Sequence, residues 1–270
     1  MCRMLGIISA EPISPYKYLV QDECSLLVQA EKGRQDDGWG IGYYVNGELI
    51  VFKSPNTVYK ERDLFIEKVR QVKSNIIIAH VRKASNPRNL PKERLISLEN
   101  TQPFSYENYV FAHNGTIYYP DEVLERLGSL RTLVRGVNDS EVYFAYLIKE
   151  FIRHHDFVMA VKAVKKGLWE ILHNVRVRRY DVPYSSLNVI FSDGRNMYAM
   201  THYVKGENIK AICYKDTPYF NMAFYYDGKM LVVSSERTNN SAGWQVMNNN
   251  EILIASIQDG RVKYHIERLE

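Results

Sequence analysis

Cysteine is scarce in this chain, which has only three among its 270 residues: Cys2, Cys24 and Cys213. They are odd in number, lie far apart and include no Cys-x-x-Cys pair, so the sequence predicts neither a disulfide framework nor a zinc site. We interpret Cys24 and Cys213 as core residues of a helix and a strand. Sparse cysteine of this kind is typical of a reducing compartment, and we expect a cytoplasmic protein.

Long apolar runs and strong net charge are also lacking. No stretch approaches the ~18 consecutive apolar residues that indicate a membrane span. The first 30 residues lack the basic region, apolar run and cleavage site of a signal peptide. The net charge of +4 is small, and there is no basic block or aromatic-basic stripe to follow a phosphate backbone. We therefore expect neither a membrane nor a nucleic acid as a partner.

Linkers, repeats and low-complexity segments are missing as well, so we expect one domain over residues 1–270. Hydrophobic residues make up 46% of the chain, which is enough for a sizeable core. Strand-like segments dominate both ends, and most helical segments lie between them. This order predicts an α+β fold in which two antiparallel sheets pack face to face with helices outside.

Local patterns predict the elements of this fold. Asn46-Gly47 between two strand-like segments is a strong hairpin signal. Residues 83–103 hold three prolines and little periodicity, which predicts a functional lid or binding loop. Predicted strands cover residues 3–9, 39–45, 48–53, 75–81, 109–112, 187–192, 197–202, 220–225, 230–235, 251–257 and 262–267, and predicted helices cover residues 16–31, 64–72, 121–127, 140–152 and 157–173.

Cys2 is the first candidate for chemistry because it directly follows the initiator methionine. If Met1 is removed, a thiol with an ordinary pKa near ~8.5 and an α-amine with a pKa near ~7.7–8.0 lie on one residue. An N-terminal amine can activate the nucleophile of its own residue. A buried cysteine in a first strand is the alternative interpretation.

A cation, an anion and an amide supply the groups that such a nucleophile needs. Arg82 follows a predicted buried strand and could grip a carboxylate, although a surface arginine at a strand end is the alternative. Asp139 precedes an apolar-periodic segment and is a good helix N-cap, but it could equally receive an ammonium group. Asn114-Gly115 is either an ordinary turn or an oxyanion hole made of the Asn114 amide and the Gly115 N–H.

The order of these residues resembles the glutaminase domain of the class II glutamine amidotransferases, which belongs to the N-terminal-nucleophile hydrolases. The matching motifs are Cys2, His80-Val81-Arg82-Lys83-Ala84, His113-Asn114-Gly115 and Asp139-Ser140-Glu141. Asp37-Gly38-Trp39-Gly40-Ile41-Gly42 and Ser234-Ser235-Glu236 with Trp244 are similar to a stand-alone branch of predicted amidotransferases and γ-glutamyl amidohydrolases. The resemblance covers nearly the whole chain and implies a four-layer αββα sandwich of two antiparallel sheets flanked by helices.

The resemblance also implies roles for individual residues. Cys2 would attack the side-chain amide of glutamine, with its own α-amine relaying protons, while Asn114 and Gly115 would hold the oxyanion. Arg82 would bind the α-carboxylate of the substrate, and Asp139 would bind its α-ammonium group. Neither a metal nor a cofactor is needed. The remaining pocket candidates are Trp39, His80, Ala84, Ser85 and His113.

Three of those candidates have a structural alternative. Trp39 could be a packed aromatic at the start of a strand. His80 and His113 are expected to be hydrogen-bonded structural histidines, because the α-amine already supplies the base. The loop also departs from the family at Asn100-Thr101-Gln102-Pro103, where many relatives carry Asn-x-His-Pro, and this departure affects the pocket wall.

The implied function is hydrolysis of glutamine or a γ-glutamyl amide through a thioester on Cys2, with release of ammonia or an amine. Arg82 and Asp139 argue against peptide-bond cleavage because they define a free amino-acid end. The resemblance leaves no part of the chain as an ammonia acceptor. It therefore implies a separate ammonia-accepting or peptidase-type subunit, or simple hydrolysis, and it leaves a homodimer open. The alternative is a catalytically silent regulatory or binding subunit that retains Met1.

Overall fold

The computed structural model describes residues 2–204 and 208–270, so Met1 lies outside the described residues. The strands are β1 (Arg3–Ile13), β2 (Trp39–Val45), β3 (Glu48–Ser54), β4 (Ser74–Val81), β5 (Phe104–Tyr106), β6 (Tyr109–Asn114), β7 (Asn188–Ser192), β8 (Asn196–Thr201), β9 (Ala223–Tyr226), β10 (Met230–Ser234), β11 (Trp244–Val246), β12 (Glu251–Gln258) and β13 (Arg261–Arg268). The α-helices are α1 (Leu26–Gly33), α2 (Arg62–Gln71), α3 (Lys92–Leu95), α4 (Pro120–Leu124), α5 (Asp139–His154) and α6 (Phe157–Asn174).

These strands form two antiparallel sheets. The first has the order β11-β9-β10-β1-β4-β2-β3, and the second has the order β13-β12-β8-β7-β6-β5. One apolar cluster fills the space between the sheets. A second cluster joins the outer face of the first sheet to α1 and α2, and a third joins the outer face of the second sheet to α4, α5 and α6. The predicted four-layer αββα sandwich is therefore confirmed.

β1 illustrates how the strand alternation builds these layers. Met4 and Ile8 belong to the cluster between the sheets, whereas Leu5 and Ile7 belong to the cluster under the helices. Successive side chains of a strand point to opposite faces, so a strand buried on both faces must be apolar throughout. The apolar character of residues 4–8 in β1 follows from the central place of this strand between β4 and β10.

Most predicted elements are confirmed, with shifted ends, but the long first helix is not. Residues 16–31 contain a π-helical turn at Lys17–Gln21, and α1 begins only after Ser25. The Ser25 hydroxyl accepts from the Val28 N–H and donates to the Val20 carbonyl, so it competes for backbone groups and interrupts the helix. The Asn46-Gly47 hairpin is confirmed, and both residues have positive φ. The three-residue strands β5 and β11 are too short for a periodic pattern to reveal.

The interpretation of two cysteines as unpaired core residues was wrong. Cys24 and Cys213 form a disulfide with a Cα–Cα distance of 6.1 Å. They lie 189 residues apart in the chain, so spacing alone could not indicate the bond. Cys24 lies in a turn before α1, and Cys213 lies outside the strands. Cys2 is the free cysteine of the described chain. The disulfide removes the cysteine argument for a reducing compartment.

None of the helices in the described ranges is long and apolar enough to cross a membrane.

We predict that Gly6 is required by the close approach of the two sheets. A Cβ atom at Gly6 would lie 2.7 Å from Ile190 Cγ2 and 3.0 Å from Met197 Sδ. Gly6→Ala should therefore lower the free energy of unfolding by about 1–3 kcal/mol through overpacking, measured by urea denaturation.

A double-mutant cycle with Ile190→Ala provides the control. Ile190→Ala alone should cost about 2–5 kcal/mol because it leaves a cavity between the sheets. The double variant should cost less than the sum of the two single variants, because the added methyl group enters that cavity. Strict additivity would contradict the proposed contact.

Candidate active site

Cys2 lies at the end of the central strand pair of the first sheet. β1 pairs with β4 so that Arg3 lies opposite Val81, which brings Cys2 next to the residues that follow β4. The thiol donates to the Lys83 carbonyl at 3.4 Å, and the Lys83 N–H donates to the same sulfur at 3.4 Å. Burial raises the pKa of the Cys2 thiol, while the Lys83 hydrogen bond and the charge of Arg82 act in the opposite direction.

Arg82 is a buried arginine at the end of β4, only 2% exposed. Its Nη1 donates to the Leu95 carbonyl at 2.7 Å and to the Asp37 carbonyl at 3.3 Å. Burial lowers the pKa of this guanidinium, and Cys2 is the first of the neighbouring groups that raise it. Neutral backbone groups thus fix the Arg82 side chain near the thiol without neutralising its charge.

Asp37 contacts the residues around Arg82, although it was not predicted as a site residue. Its Oδ2 accepts from the Ala84 N–H at 2.8 Å, and its own N–H donates to the Arg82 carbonyl at 3.0 Å. The following Gly38 carbonyl accepts from the Arg82 N–H at 2.8 Å. The Asp-Gly-Trp-Gly motif was the available signal, because it places an acidic residue directly before a buried strand.

Asp139 is the first residue of α5, and its prediction as the N-cap was off by one position. The N-cap is Asn138, whose side-chain oxygen accepts from the Ser140 N–H at 2.9 Å. Asp139 instead accepts from the Ser85 hydroxyl at 2.5 Å and from the Ile117 N–H at 2.7 Å. Asn138 and Asp139 both have side chains that can cap a helix. Because Asp139 bonds to the distant residues Ser85 and Ile117, Asn138 is the N-cap.

Asn114 and Gly115 lie at the end of β6, beside β7. Asn114 is buried, and its Oδ1 has no hydrogen-bond partner among the described residues. A Cβ atom at Gly115 would lie 2.1 Å from the Ser186 carbonyl oxygen and 2.6 Å from His113 Nε2. Only glycine allows this close backbone approach, so tight packing at the strand end requires glycine at position 115.

His113 and His80 are fully buried and hydrogen-bonded. His113 Nε2 donates to the Ser186 carbonyl at 3.0 Å, so its Nδ1 accepts from the Ser140 hydroxyl at 2.9 Å. His80 Nε2 donates to the His113 carbonyl at 3.3 Å. Burial lowers the pKa of His80 to about 3 and also lowers the pKa of His113. Both rings are therefore neutral near pH 7. His113 has both ring nitrogens bonded, as expected of a structural histidine, whereas His80 Nδ1 is buried with no hydrogen-bond partner among the described residues.

Gln102 occupies the loop position at which the sequence departs from the family pattern. Its Oε1 accepts from the His113 N–H at 2.6 Å, and its Nε2 donates to the His113 carbonyl at 3.3 Å. Gln102 thus holds the backbone of β6 just before Asn114. Gln102 therefore supports the backbone beside Asn114, although it differs from the residue that many relatives carry at this position.

Trp39 is not brought to the site. Its ring centroid lies 5.1 Å from that of Phe52 and 5.0 Å from that of Phe65, in the cluster under α1 and α2. Its Nε1 donates to Glu61 Oε2 at 2.9 Å. The pocket interpretation of Trp39 is therefore corrected in favour of the alternative, a packed core aromatic.

Three consecutive loop residues connect the rest of the site. Lys83 contacts the Cys2 sulfur, Ala84 donates to Asp37, and Ser85 donates to Asp139. The charges of Arg82 and Asp139 both act on the pKa of the Cys2 thiol, which places a cation and an anion near one nucleophile. Such an arrangement can receive a zwitterionic molecule and present it to sulfur.

A potential metal-ligand set lies elsewhere. Cys24, Cys213 and Glu236 form the one group of three such ligands found among residues 2–204 and 208–270. Both sulfurs are joined in the disulfide, and the Glu236 carboxylate accepts from three backbone N–H groups, at Ile212, Cys213 and Tyr214. No thiolate is left there to bind a metal ion.

Comparisons with known proteins show the family of the chain. A family model described as glutamine amidotransferases class-II matches residues 1–267. An uncharacterized protein of Methanocaldococcus jannaschii is 27% identical over 291 aligned positions, which cover 100% of this chain and 72% of that protein.

Two solved structures share the fold. One is a glutamine aminotransferase class-II domain protein from Silicibacter pomeroyi, with 16% identity, a TM-score of 0.62 and 98% of both chains covered. The other is the glutamine phosphoribosylpyrophosphate amidotransferase from B. subtilis, with 19% identity and a TM-score of 0.62. The alignment with the B. subtilis enzyme covers 100% of this chain but only 49% of that enzyme, so the chain spans about half its length.

We predict that stability falls as the pH falls below about 6.5, partly because of His80. The unfolded chain takes up a proton on this ring near pH ~6.5, whereas the folded chain does so only near pH 3. Between these values the unfolded state binds more protons, so the free energy of unfolding decreases by up to ~1.4 kcal/mol per pH unit for this group.

Urea denaturation of the wild type and His80→Gln at pH 7, 5.5 and 4.5 measures this contribution. The variant should show the shallower dependence on pH, whatever its absolute stability. His265→Gln provides the control, because it makes the same substitution at an exposed histidine. Equal slopes for the wild type and His80→Gln would contradict the prediction.

Proposed function

The chain belongs to the class II glutamine amidotransferases, and from this premise we propose that it hydrolyses the side-chain amide of glutamine, or a γ-glutamyl amide, through a thioester on Cys2. The observation that carries the proposal is the loop of residues 83–85, which joins Cys2, Asp37 and Asp139 around one thiol. We further propose that residues 1–270 form a single glutaminase domain and that removal of Met1 activates it.

The first half of the reaction forms the thioester. The free α-amine of Cys2 takes the proton of its own thiol, and the sulfur bonds to the amide carbon. The carbonyl oxygen becomes an oxyanion, which receives hydrogen bonds from the Asn114 side-chain amide and the Gly115 N–H. The carbon–nitrogen bond then breaks, and ammonia leaves with the proton that the α-ammonium group returns.

The second half releases the acyl group. Water adds to the thioester carbon while the α-amine takes a proton from the water. The carbon–sulfur bond breaks, glutamate leaves, and the proton returns to sulfur. Each donor of an oxyanion hole typically contributes ~10²–10³ in rate. The close packing of Gly115 against Ser186 supports this role, because it fixes the direction of the Gly115 N–H.

Arg82 and Asp139 would select the substrate by its amino-acid end. Arg82 binds the α-carboxylate and Asp139 binds the α-ammonium group, at a fixed separation from the sulfur. The buried carbonyl partners of Arg82 and the Ser85 and Ile117 partners of Asp139 support this role, because they hold both charges in place before substrate arrives. Such preorganisation lowers the entropic cost of bringing the amide to the thiolate.

The fate of the ammonia distinguishes two forms of this function. A separate subunit could accept it, or the enzyme could release it to water. Both forms require a chain that begins at Cys2, whereas a silent regulatory subunit would retain Met1.

We predict that Cys2→Ala abolishes release of ammonia and glutamate from glutamine, because it removes the nucleophile and leaves the fold intact. The measurement is a coupled assay on processed protein, with a screen of other γ-glutamyl compounds in parallel. Intact mass should show that wild-type protein begins at Cys2 and gains one label from a glutamine-analogue electrophile. Activity above a few per cent in Cys2→Ala would contradict the nucleophile role, and full retention of Met1 in the native host would contradict the function.

We also predict that Arg82→Lys raises KM by about 10- to 100-fold with little change in kcat. Lysine keeps the charge but cannot grip a carboxylate with two parallel donors, and this end of the substrate does not react. The exposed Arg62 on α2 is a matched control, so Arg62→Lys should behave as wild type. A fall in kcat with unchanged KM would show that Arg82 does not bind the substrate carboxylate.

A further inference from the structure

We propose that Tyr219 is a positioning residue for the Cys2 nucleophile, holding the Cys2 carbonyl through its hydroxyl while Arg3 and Glu236 hold Tyr219 in place. This inference rests on the proposed function of Cys2. It concerns residues that contact the nucleophile from the side opposite to the loop of residues 83–85.

Such a residue is needed because β1 extends beyond the end of its neighbour β10. The pairing of β1 with β10 ends at Leu5 and Ser234. Beyond it, Ser235 bonds Met4 twice: the Ser235 N–H donates to the Met4 carbonyl at 2.9 Å, and the Met4 N–H donates to Ser235 Oγ at 2.9 Å. Cys2 lies one step further out, where β10 no longer supplies a donor.

Tyr219 supplies that donor. Its hydroxyl donates to the Cys2 carbonyl at 3.1 Å in a buried environment. Burial raises the pKa of Tyr219 to about 12, so the hydroxyl stays protonated at any pH at which the enzyme would work. A side-chain hydroxyl thus replaces the missing backbone N–H of a neighbouring strand.

Arg3 fixes Tyr219 by two contacts. The guanidinium carbon lies 3.6 Å from the centre of the Tyr219 ring, and Nη1 donates to the Tyr219 carbonyl at 3.0 Å. A cation over an aromatic face is attractive, more so when both groups are buried. Because Arg3 directly follows Cys2, the nucleophile and its support are linked through one peptide unit.

Glu236 completes this support. Its Oε1 lies 3.3 Å from Arg3 Nη2, and both side chains are almost fully buried. The same carboxylate accepts from backbone N–H groups of the segment that leads to Tyr219, including those of Ile212 and Cys213. Glu236 therefore ties the start of β1 to that segment.

Holding the Cys2 carbonyl fixes the plane of the peptide between Cys2 and Arg3. With that plane fixed and the sulfur held by Lys83, rotation about the Cα–C bond of Cys2 is restricted. The α-nitrogen and the sulfur then keep one orientation toward the substrate amide. Because Tyr219 would act through Cys2 and not through the substrate, its loss should lower kcat and leave KM nearly unchanged.

Tyr219→Phe is the direct test, because it removes the hydroxyl and keeps the ring under Arg3. We expect kcat for glutamine to fall about 10-fold or more, with KM within about 2-fold of wild type. The rate of Cys2 alkylation by iodoacetamide, followed from pH 6 to 9 by mass spectrometry, should also change in its dependence on pH. That readout does not require glutamine.

Tyr203→Phe is the matched control. Tyr203 lies in the same buried aromatic cluster as Tyr219, but its hydroxyl donates to Asn221 at 2.8 Å. Both variants lose one hydrogen-bonded hydroxyl of this cluster, that of Tyr203 being the less buried of the two, so both thermal midpoints should fall. Only Tyr219→Phe should change kcat and the alkylation profile.

Arg3→Lys provides a second variant, because it keeps the charge beside Glu236 and loses the plane over the Tyr219 ring. We expect a smaller fall in kcat in the same direction. Wild-type kcat and alkylation in Tyr219→Phe, or equal losses in Tyr219→Phe and Tyr203→Phe, would overturn the positioning role. Failure of processed wild-type protein to hydrolyse any γ-glutamyl compound would instead overturn the proposed function, and the alkylation profiles would still test Tyr219.

Discussion

The antiparallel pairing of β1 with β4 determines where Cys2 and Arg82 lie. Its register places Arg3 opposite Val81, so Cys2 and Arg82 emerge together at one end of the sheet. Residues 4–8 of β1 are apolar on both faces, so alternation alone would tolerate a slip of one residue. Gly6 removes that freedom, because a side chain at its position would collide with Ile190 of the second sheet. The steric requirement for glycine at position 6 thus helps to fix the register that places Cys2 and Arg82 at the end of the sheet.

The two charges near the thiol remain available because neutral groups hold them. Backbone carbonyls of Asp37 and Leu95 satisfy Arg82, and a hydroxyl and an N–H satisfy Asp139. Among the described residues, neither Arg82 nor Asp139 takes part in an ion pair. A direct pair would cancel the field that a zwitterionic ligand needs, and breaking it would cost energy at each binding event. The neutral partners hold both charged groups in fixed positions. Because these groups are buried, their electrostatic interaction with a ligand is screened less than it would be in water.

Sequence reasoning finds what local patterns encode and misses contacts between residues that are distant in the chain. The hairpin at Asn46-Gly47 and the layers follow from turn chemistry and periodicity, whereas Cys2, Arg82 and Asn114-Gly115 became site candidates because their order along the chain resembles that of the family. The Cys24–Cys213 disulfide and the contact between Tyr219 and Cys2 join residues 189 and 217 positions apart, and no local pattern encodes such a pairing. The N-cap error at Asp139 has the same origin, because tertiary partners chose between two equally good capping residues. Trp39 was ambiguous because a packed aromatic and a pocket wall look alike in sequence.

The connection of the site through consecutive residues makes its geometry cooperative. Arg88, three residues after Ser85, pairs with Asp121 at 2.8 Å and donates to the Val137 carbonyl at 2.6 Å. Val137 lies two residues before Asp139, so the loop contacts this turn both through Ser85 and through Arg88. A displacement of the loop would act on the thiol, on the backbone around Arg82 and on Asp139 together. The effects of two substitutions within this loop on activity should therefore be far from additive. A substitution in the loop and one at Tyr219 instead affect two separate supports of Cys2.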